Sequence, residues 1–482
     1  MKAESKHGDA GPEALAGPQA PGGAGPRDPL AALEGLLLRV RLEPGRFPDP
    51  GAMARELALD PAALDRLLRV HAHLDAEAFL RQARVAAARR MLPDTTGPAW
   101  AVGAACGFRS PAGFRAQVLA ATGLTPAGCQ ELGRSDARSC TLALPPGYRV
   151  EDALAYHGRD PLSRSERVTG TTLVKAMLVA DRPVLLELAF QDGAVRLRML
   201  TPDGAAWPDA VDPAGLKQGA ESTHGPASEQ ASRQTPEQTR ERAHEQTRVQ
   251  APDPAPLAVL QARAVRMLGL GVDPAPFERF VRPLPLRRLV APRRGLRIPL
   301  TADVWESLVW AVLGQQVNLA FAYSLRRRLT ELCGVPVAPG PGQGLLAHPG
   351  PAAVAALDPA ELLPLQFSRG KAGYLVALAR KVADGTLPLE ALPLGTATGA
   401  ALRLEAERGV GPWTAHYVLM RGCGFGDCVP LGDAGLTLAL QRQFGLDHRP
   451  TVRETAALMA PFAPHRSLAT FHLWASLKGV PA

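Results

Sequence analysis

The chain has 482 residues, a formal net charge of +8 and a pI near 9.4, which is length for about two to four domains with real cores and a charge balance suited to a polyanionic partner without establishing one. No apolar run reaches the roughly 18 residues of a membrane span and the N-terminus lacks the apolar core of a signal peptide, so a soluble, cytoplasmic protein is expected. Its six cysteines, Cys106, Cys129, Cys140, Cys333, Cys423 and Cys428, show neither a disulfide framework nor paired metal-ligand spacing, so reduced thiols and no metal site are expected.

Residues 1–27 are Gly, Ala, Pro and charge without an apolar period, the composition of a disordered arm. From 28 to 138 the apolar spacing is helical throughout. Pro50 to Leu68 reads as helix, turn and a second helix with Asp60 as N-cap and Pro61 in its first turn, the syntax of a helix-turn-helix. A second copy runs from Ala99 through Gly107 and Ser110 to Thr125-Pro126. The candidate recognition helices carry few base-reading side chains: Asp65, Arg66 and Arg69 in the first, Arg115 and Gln117 in the second. The pair therefore either reads an operator or serves as a packed helical adaptor.

From Cys140 to about Leu200 the pattern turns toward strands at 171–180, 184–190 and 194–200, joined by Asp181-Arg182-Pro183 and Gln191-Asp192-Gly193, which predicts an antiparallel meander. Lys217 to Pro252 has almost nothing to bury and reads as a long solvated loop or a transient helix. A helix from Leu257 to Leu268 is expected to pack on the sheet. Residues 139–274 are thus expected to form an α+β domain that supplies its own packing, with a disordered insert at 217–252.

The remainder, 275–482, is helical. A helix over 302–313, with Thr301 as its N-cap, runs into Gly314-Gln315-Gln316-Val317-Asn318, and Ser368 caps another. Arg408-Gly409-Val410-Gly411-Pro412-Trp413-Thr414-Ala415-His416-Tyr417 follows. Gly409, Val410 and Gly411 make a tight turn whose backbone N–H groups can approach a phosphate, and Pro412 opens the next helix. Trp413 and Tyr417, four apart, share a helix face as one wall of a pocket or as plain core. Asp433, in Val429 to Gly435, is an N-cap or a carboxylate placed to meet developing positive charge.

Gly-Phe-x-Ser-x-x-x-Phe at 107–114, followed by Thr-Gly-x-Thr-Pro at 122–126, resembles the paired helix-turn-helix domain of AraC-type regulators. Helix, glycine hairpin, helix and downstream aspartate resemble the helix-hairpin-helix superfamily of base-excision DNA glycosylases, and 139–274 resembles the α+β domain of its 3-methyladenine DNA glycosylase II family. The fold this implies is multidomain and mainly α with one α+β domain: a paired helix-turn-helix domain, an antiparallel-sheet domain and a helical glycosylase domain.

By the same resemblance Asp433 takes the catalytic position, Trp474 joins Trp413 and Tyr417 in the base pocket, and Gln315 and Gln316 belong to the element that fills the duplex gap, with Gln316 at the plugging position or simply ending a buried helix. Bifunctional members place a lysine nucleophile where this chain has Trp413, so water is the expected nucleophile. No cysteine follows Cys428 to complete an iron–sulfur cluster, and no cofactor is implied. A purine alkylated on a ring nitrogen is cationic and attracted to aromatic faces by about 0.5 to 2 kcal/mol per contact. The resemblance therefore implies a monofunctional glycosylase that excises alkylated purines such as 3-methyladenine from double-stranded DNA, DNA-associated, with no membrane and no obligate protein partner. The alternative is a transcriptional regulator of the alkylation response whose glycosylase-like half senses damage.

Overall fold

The computed structural model describes residues 28–134, 136–200, 255–337 and 342–477. The arm expected at 1–27 and the insert expected at 217–252 lie outside these residues. Short polar caps followed by proline start most of the N-terminal helices. Asp28 caps Pro29–Leu42, Asp49 caps Pro50–Glu56, Asp60 caps Pro61–His71, Ser110 caps Pro111–Thr122 and Thr125 caps Pro126–Glu131, each side chain accepting a backbone N–H of the first turn. Helix Ala76–Met91 joins the two helix-turn-helix units, and the second unit opens with Ala99–Ala105. Gly103 permits close approach there: a β-carbon at that position would lie 2.8 Å from the Phe114 ring.

The sheet has five antiparallel strands, β1 (Ser139–Ala143), β2 (Glu166–Thr169), β3 (Thr172–Val179), β4 (Arg182–Gln191) and β5 (Ala194–Leu200), in the order β1-β5-β4-β3-β2. The meander β3-β4-β5 matches the three predicted strands. The flanking strands β1 and β2 are too short to show alternation, and helix Val150–His157 separates them. Helix Pro256–Met267 packs with the sheet as expected, sharing one core through Leu257, Leu260 and Ala264.

That core does not stop at residue 138. Val102, Phe114, Val118, Cys129 and Leu132 of the second helix-turn-helix belong to the same buried cluster as Leu142, Leu186, Leu188 and Leu197 of the sheet. The Ala143 N–H donates to the Gly123 carbonyl at 2.8 Å, and Gln261 Nε2 donates to the Thr122 carbonyl at 2.7 Å. The strand-rich region therefore does not supply all of its own packing, contrary to the sequence reading. Apolar residues of 111–132 that look like an independent helical core are the cover of the sheet's.

The first helix-turn-helix docks on the helical region instead. Glu34 accepts from the Thr396 hydroxyl at 3.0 Å and from Arg403 at 2.8 Å, and a β-carbon at Gly399 would lie 2.0 Å from its Oε1. His71, at the end of the candidate recognition helix, lies 3.0 Å from the Thr398 hydroxyl, and the Asp427 N–H donates to His73 Nδ1 at 3.2 Å. Of the candidate readers, Arg66 and Arg115 are exposed, whereas Arg69 is paired with Asp65 at 2.8 Å.

A buried charge network ties the sheet to the helical region. Lys175 of β3 donates to Glu306 at 2.8 Å, Arg326 reaches Glu306 at 2.7 Å and Glu166 at 3.4 Å, and His157 Nδ1 lies 3.1 Å from Glu166. Burial alone would raise the Glu306 carboxyl; Lys175 and Arg326 outweigh it and hold it down at about 2. Among the described residues no helix is long and apolar enough to cross a membrane, and no group of three or more His, Cys, Asp or Glu is placed to hold a metal ion. All six cysteines are free.

Candidate active site

The hairpin lies between helix Ala397–Glu405, capped by Thr396, and helix Pro412–Val418. Its two glycines do different work. Gly409 has φ +88°, and a β-carbon there would lie 2.4 Å from Tyr374 Cγ, so any other residue is strained from within. Gly411 is extended at φ −97°, and a β-carbon there meets nothing within 4 Å. Val410 turns its side chain into the helical core, which leaves its backbone on the turn. We expect Gly409→Val to lower the melting temperature, with a strain cost of about 1–3 kcal/mol. Gly411→Val is expected to fold normally and bind every duplex more weakly; fluorescence anisotropy on lesion and undamaged duplexes checks this, and a loss confined to lesion DNA would contradict backbone binding.

Helix Val304–Gly314 leads into the Gly314-Gln315-Gln316 loop beside this hairpin. Its N-cap is Asp303, which accepts from the Glu306 N–H at 2.8 Å, and not Thr301, whose hydroxyl donates to the Asp303 carbonyl at 2.7 Å. Val304, Leu308 and Val312 are fully buried as the spacing predicts. At the other end Gln315 Nε2 donates to the Gly409 carbonyl at 2.8 Å and to the Thr414 hydroxyl at 2.9 Å, so Gln315 ties its own loop to the hairpin. Gln316 is exposed and held at φ +55°, a left-handed conformation unusual for a residue with a side chain.

Sequence reasoning did not single out the group that fixes this loop. Lys371, in helix Arg369–Ala383, donates its buried ammonium to the carbonyls of Val312 at 3.2 Å, Leu313 at 2.9 Å and Gln315. It satisfies carbonyls that the helix end leaves open, and burial pushes its pKa down to about 8. The sequence signal, a lysine three residues after the Ser368 cap, is too common to have pointed there.

The predicted pocket residues come together. Trp413 and Tyr417 are stacked with ring centres 5.6 Å apart, and Tyr417 lies 6.2 Å from Trp474 of helix Arg466–Ser476. Asp433 is where both tryptophans end. Its Oδ2 accepts from Trp413 Nε1 at 3.2 Å, and its Oδ1 accepts from Trp474 Nε1 at 2.9 Å and from the Leu436 N–H at 2.7 Å. Asp433 is therefore the N-cap of helix Ala434–Phe444, one of the two readings of this residue, and also the acceptor of two indoles. A carboxylate offers about four lone-pair sites. Three are taken, and the open one is on Oδ2, the oxygen bonded to Trp413. Burial raises the Tyr417 hydroxyl to about 12 against the pull of the Arg421 and Arg159 guanidiniums, so it is neutral at pH 7.

Residues 309–464 match the HhH-GPD superfamily of base excision DNA repair proteins, and residues 53–131 match a helix-turn-helix domain. The chain is 36% identical over 203 residues to the DNA-3-methyladenine glycosylase of Bacillus subtilis (strain 168), covering 42% of this chain and 67% of that protein. It is 34% identical over 189 residues to DNA-3-methyladenine glycosylase 2 of Escherichia coli (strain K12), covering 39% and 63%. It is 37% identical over 227 residues to the probable bifunctional transcriptional activator/DNA repair enzyme AlkA of Mycobacterium tuberculosis, covering 46% of this chain and less than half, 43%, of that protein. In fold it is similar to the 3-methyladenine DNA-glycosylase from Archaeoglobus fulgidus, with a TM-score of 0.53 at 18% identity over 71% of this chain and all of that one. With a glycine hairpin, an aromatic cluster and an aspartate clasped by its two tryptophans, the chain belongs to the DNA-3-methyladenine glycosylases of the HhH-GPD superfamily.

Proposed function

We propose that this protein is a monofunctional glycosylase that removes alkylated purines such as 3-methyladenine from double-stranded DNA as the first step of base excision repair. The observation that carries this reading is Asp433, held by Trp413 and Trp474 with one lone pair open. The hairpin backbone at Gly409 to Gly411 grips phosphate, the extruded base enters among Trp413, Tyr417 and Trp474, and Gln316 takes its place in the duplex. As the bond between base and sugar lengthens, the Asp433 carboxylate meets the positive charge growing on the sugar and orients the attacking water.

Among the described residues no lysine amine is left free to compete with that water. Trp413 occupies the position of the lysine nucleophile, and Lys371 is committed to three backbone carbonyls. The strand should remain intact after base loss. The test is to incubate the full chain with methylated duplex DNA and separate products by chromatography. Free methylated purine is expected, with strand breaks only after alkali. Tight binding to methylated DNA without any released base would favour the regulator reading, which the match to a helix-turn-helix domain supports.

A further inference from the structure

The polar contacts between the N-terminal region and the helical region fall on the helix that leads into the hairpin. Glu34, in helix Pro29–Leu42, accepts at Oε1 from the Thr396 hydroxyl at 3.0 Å and at Oε2 from Arg403 at 2.8 Å. Thr396 is the N-cap of helix Ala397–Glu405 and Arg403 lies in its last turn, so one carboxylate is bonded at both ends of that helix. The Thr396 hydroxyl also accepts the Gly399 N–H at 2.8 Å, which makes a continuous chain of hydrogen bonds from the helix backbone to Glu34. Negative charge is favourable at this end of a helix.

Gly399 shows that the fit is made for the acid. A β-carbon there would lie 2.0 Å from Glu34 Oε1, so any side chain at 399 would push the carboxylate aside. Glycine inside a helix weakens it, and Gly399 has no left-handed backbone that would require one. Two more contacts come from the same N-terminal unit. His71 Nδ1 lies 3.0 Å from the Thr398 hydroxyl on this helix, and the Asp427 N–H donates to His73 Nδ1 at 3.2 Å. Asp427 in turn accepts from Arg466 at 2.7 and 2.6 Å, and Arg466 opens the helix that carries Trp474. The first helix-turn-helix unit thus touches both the hairpin helix and the segment that anchors the pocket helix.

We propose that Glu34 is a positioning residue for base excision: it fixes helix Ala397–Glu405 and with it the turn at Gly409 to Gly411, so the first helix-turn-helix unit sets how tightly the glycosylase region holds duplex DNA. This inference rests on the glycosylase reading above, in which the hairpin backbone grips phosphate. Glu34 acts through the helix and not on the reacting atoms. Its effect therefore falls on DNA binding and not on the step that breaks the bond.

The test is single-turnover base release from methylated duplex over a range of protein concentrations, with anisotropy on undamaged duplex, by the full chain, Glu34→Ala, Gly399→Ala and the double variant. Glu34→Ala removes the carboxylate, whereas Gly399→Ala displaces it and leaves its charge in place. Each is expected to raise the half-saturating concentration and the undamaged-duplex Kd about tenfold, with the saturating rate within about twofold of wild type. The double variant is expected to bind no worse than Glu34→Ala, because both changes undo one contact. Glu34→Gln, which keeps an acceptor for Thr396, should recover part of the affinity. Amide hydrogen exchange should rise at residues 396–411 and stay unchanged in the sheet. Wild-type affinity in both single variants, losses that multiply in the double variant, a loss carried by the saturating rate, or exchange that rises throughout the chain would each overturn the role of Glu34 and leave the glycosylase reading standing. No base release by the wild type would overturn the glycosylase reading, and the undamaged-duplex affinities would then decide alone whether Glu34 sets the hairpin.

Discussion

Replacing Asp433 with asparagine is expected to slow base release by about 10² to 10⁴ while leaving the fold and the DNA affinity in place. Asparagine caps a helix as well as aspartate does, so its oxygen can keep the Leu436 N–H and the Trp474 indole that now bond Oδ1. Its amide nitrogen, however, would face the Trp413 indole N–H as donor against donor, and the negative charge would be gone. The substitution leaves the hairpin proposed to hold phosphate untouched, so binding to undamaged duplex should change little. Rates of free-base release under single-turnover conditions, with anisotropy as the binding control, check both halves. Wild-type turnover in the variant would remove Asp433 from the chemistry.

Deleting residues 1–138 is expected to cost the protein its stable fold. The buried cluster that the sheet shares with helix Pro256–Met267 would lose Val102, Phe114, Val118 and Leu132, leaving residues such as Leu142 less covered. Each large side chain buried is worth about 1.5–3 kcal/mol, so the loss of several rivals the roughly 5–15 kcal/mol that holds a domain folded. The Gly123 and Thr122 carbonyls that accept from Ala143 and Gln261 would go as well. Thermal unfolding followed by circular dichroism should show a much lower midpoint or aggregation. A cooperative transition at the full-length temperature would mean that the sheet region is self-sufficient, as its sequence suggests.

The hairpin and its aspartate were legible because their determinants are local. Gly409, Pro412, Trp413 and the Asp433 cap lie within one short stretch, each setting its own backbone. Local signals still mislead when two residues compete, as at Thr301 and Asp303, where both side chains can cap and the register of the helix chooses. Contacts between distant segments left no trace. Nothing in the sequence near Arg159 reveals the rings of Trp310 and Tyr323, and nothing near Glu34 reveals Gly399, whose missing side chain makes room for it. The continuity of the core across residue 138 was hidden for a similar reason: an apolar helical face reads alike whether it packs on helices or on a sheet.

Asp433 can be tested without turnover, by equilibrium binding to two duplexes that differ only at the lesion position. One carries a pyrrolidine, whose protonated nitrogen mimics the cationic sugar, and the other carries a neutral tetrahydrofuran. Phosphate contacts are common to both and cancel in the comparison. If Asp433 is placed to stabilise the charge that grows on the sugar, the wild type should bind the cationic duplex about 10²-fold more tightly or better, and Asp433→Asn should lose that preference. Equal affinity of the wild type for the two duplexes, or a preference that survives in Asp433→Asn, would contradict it.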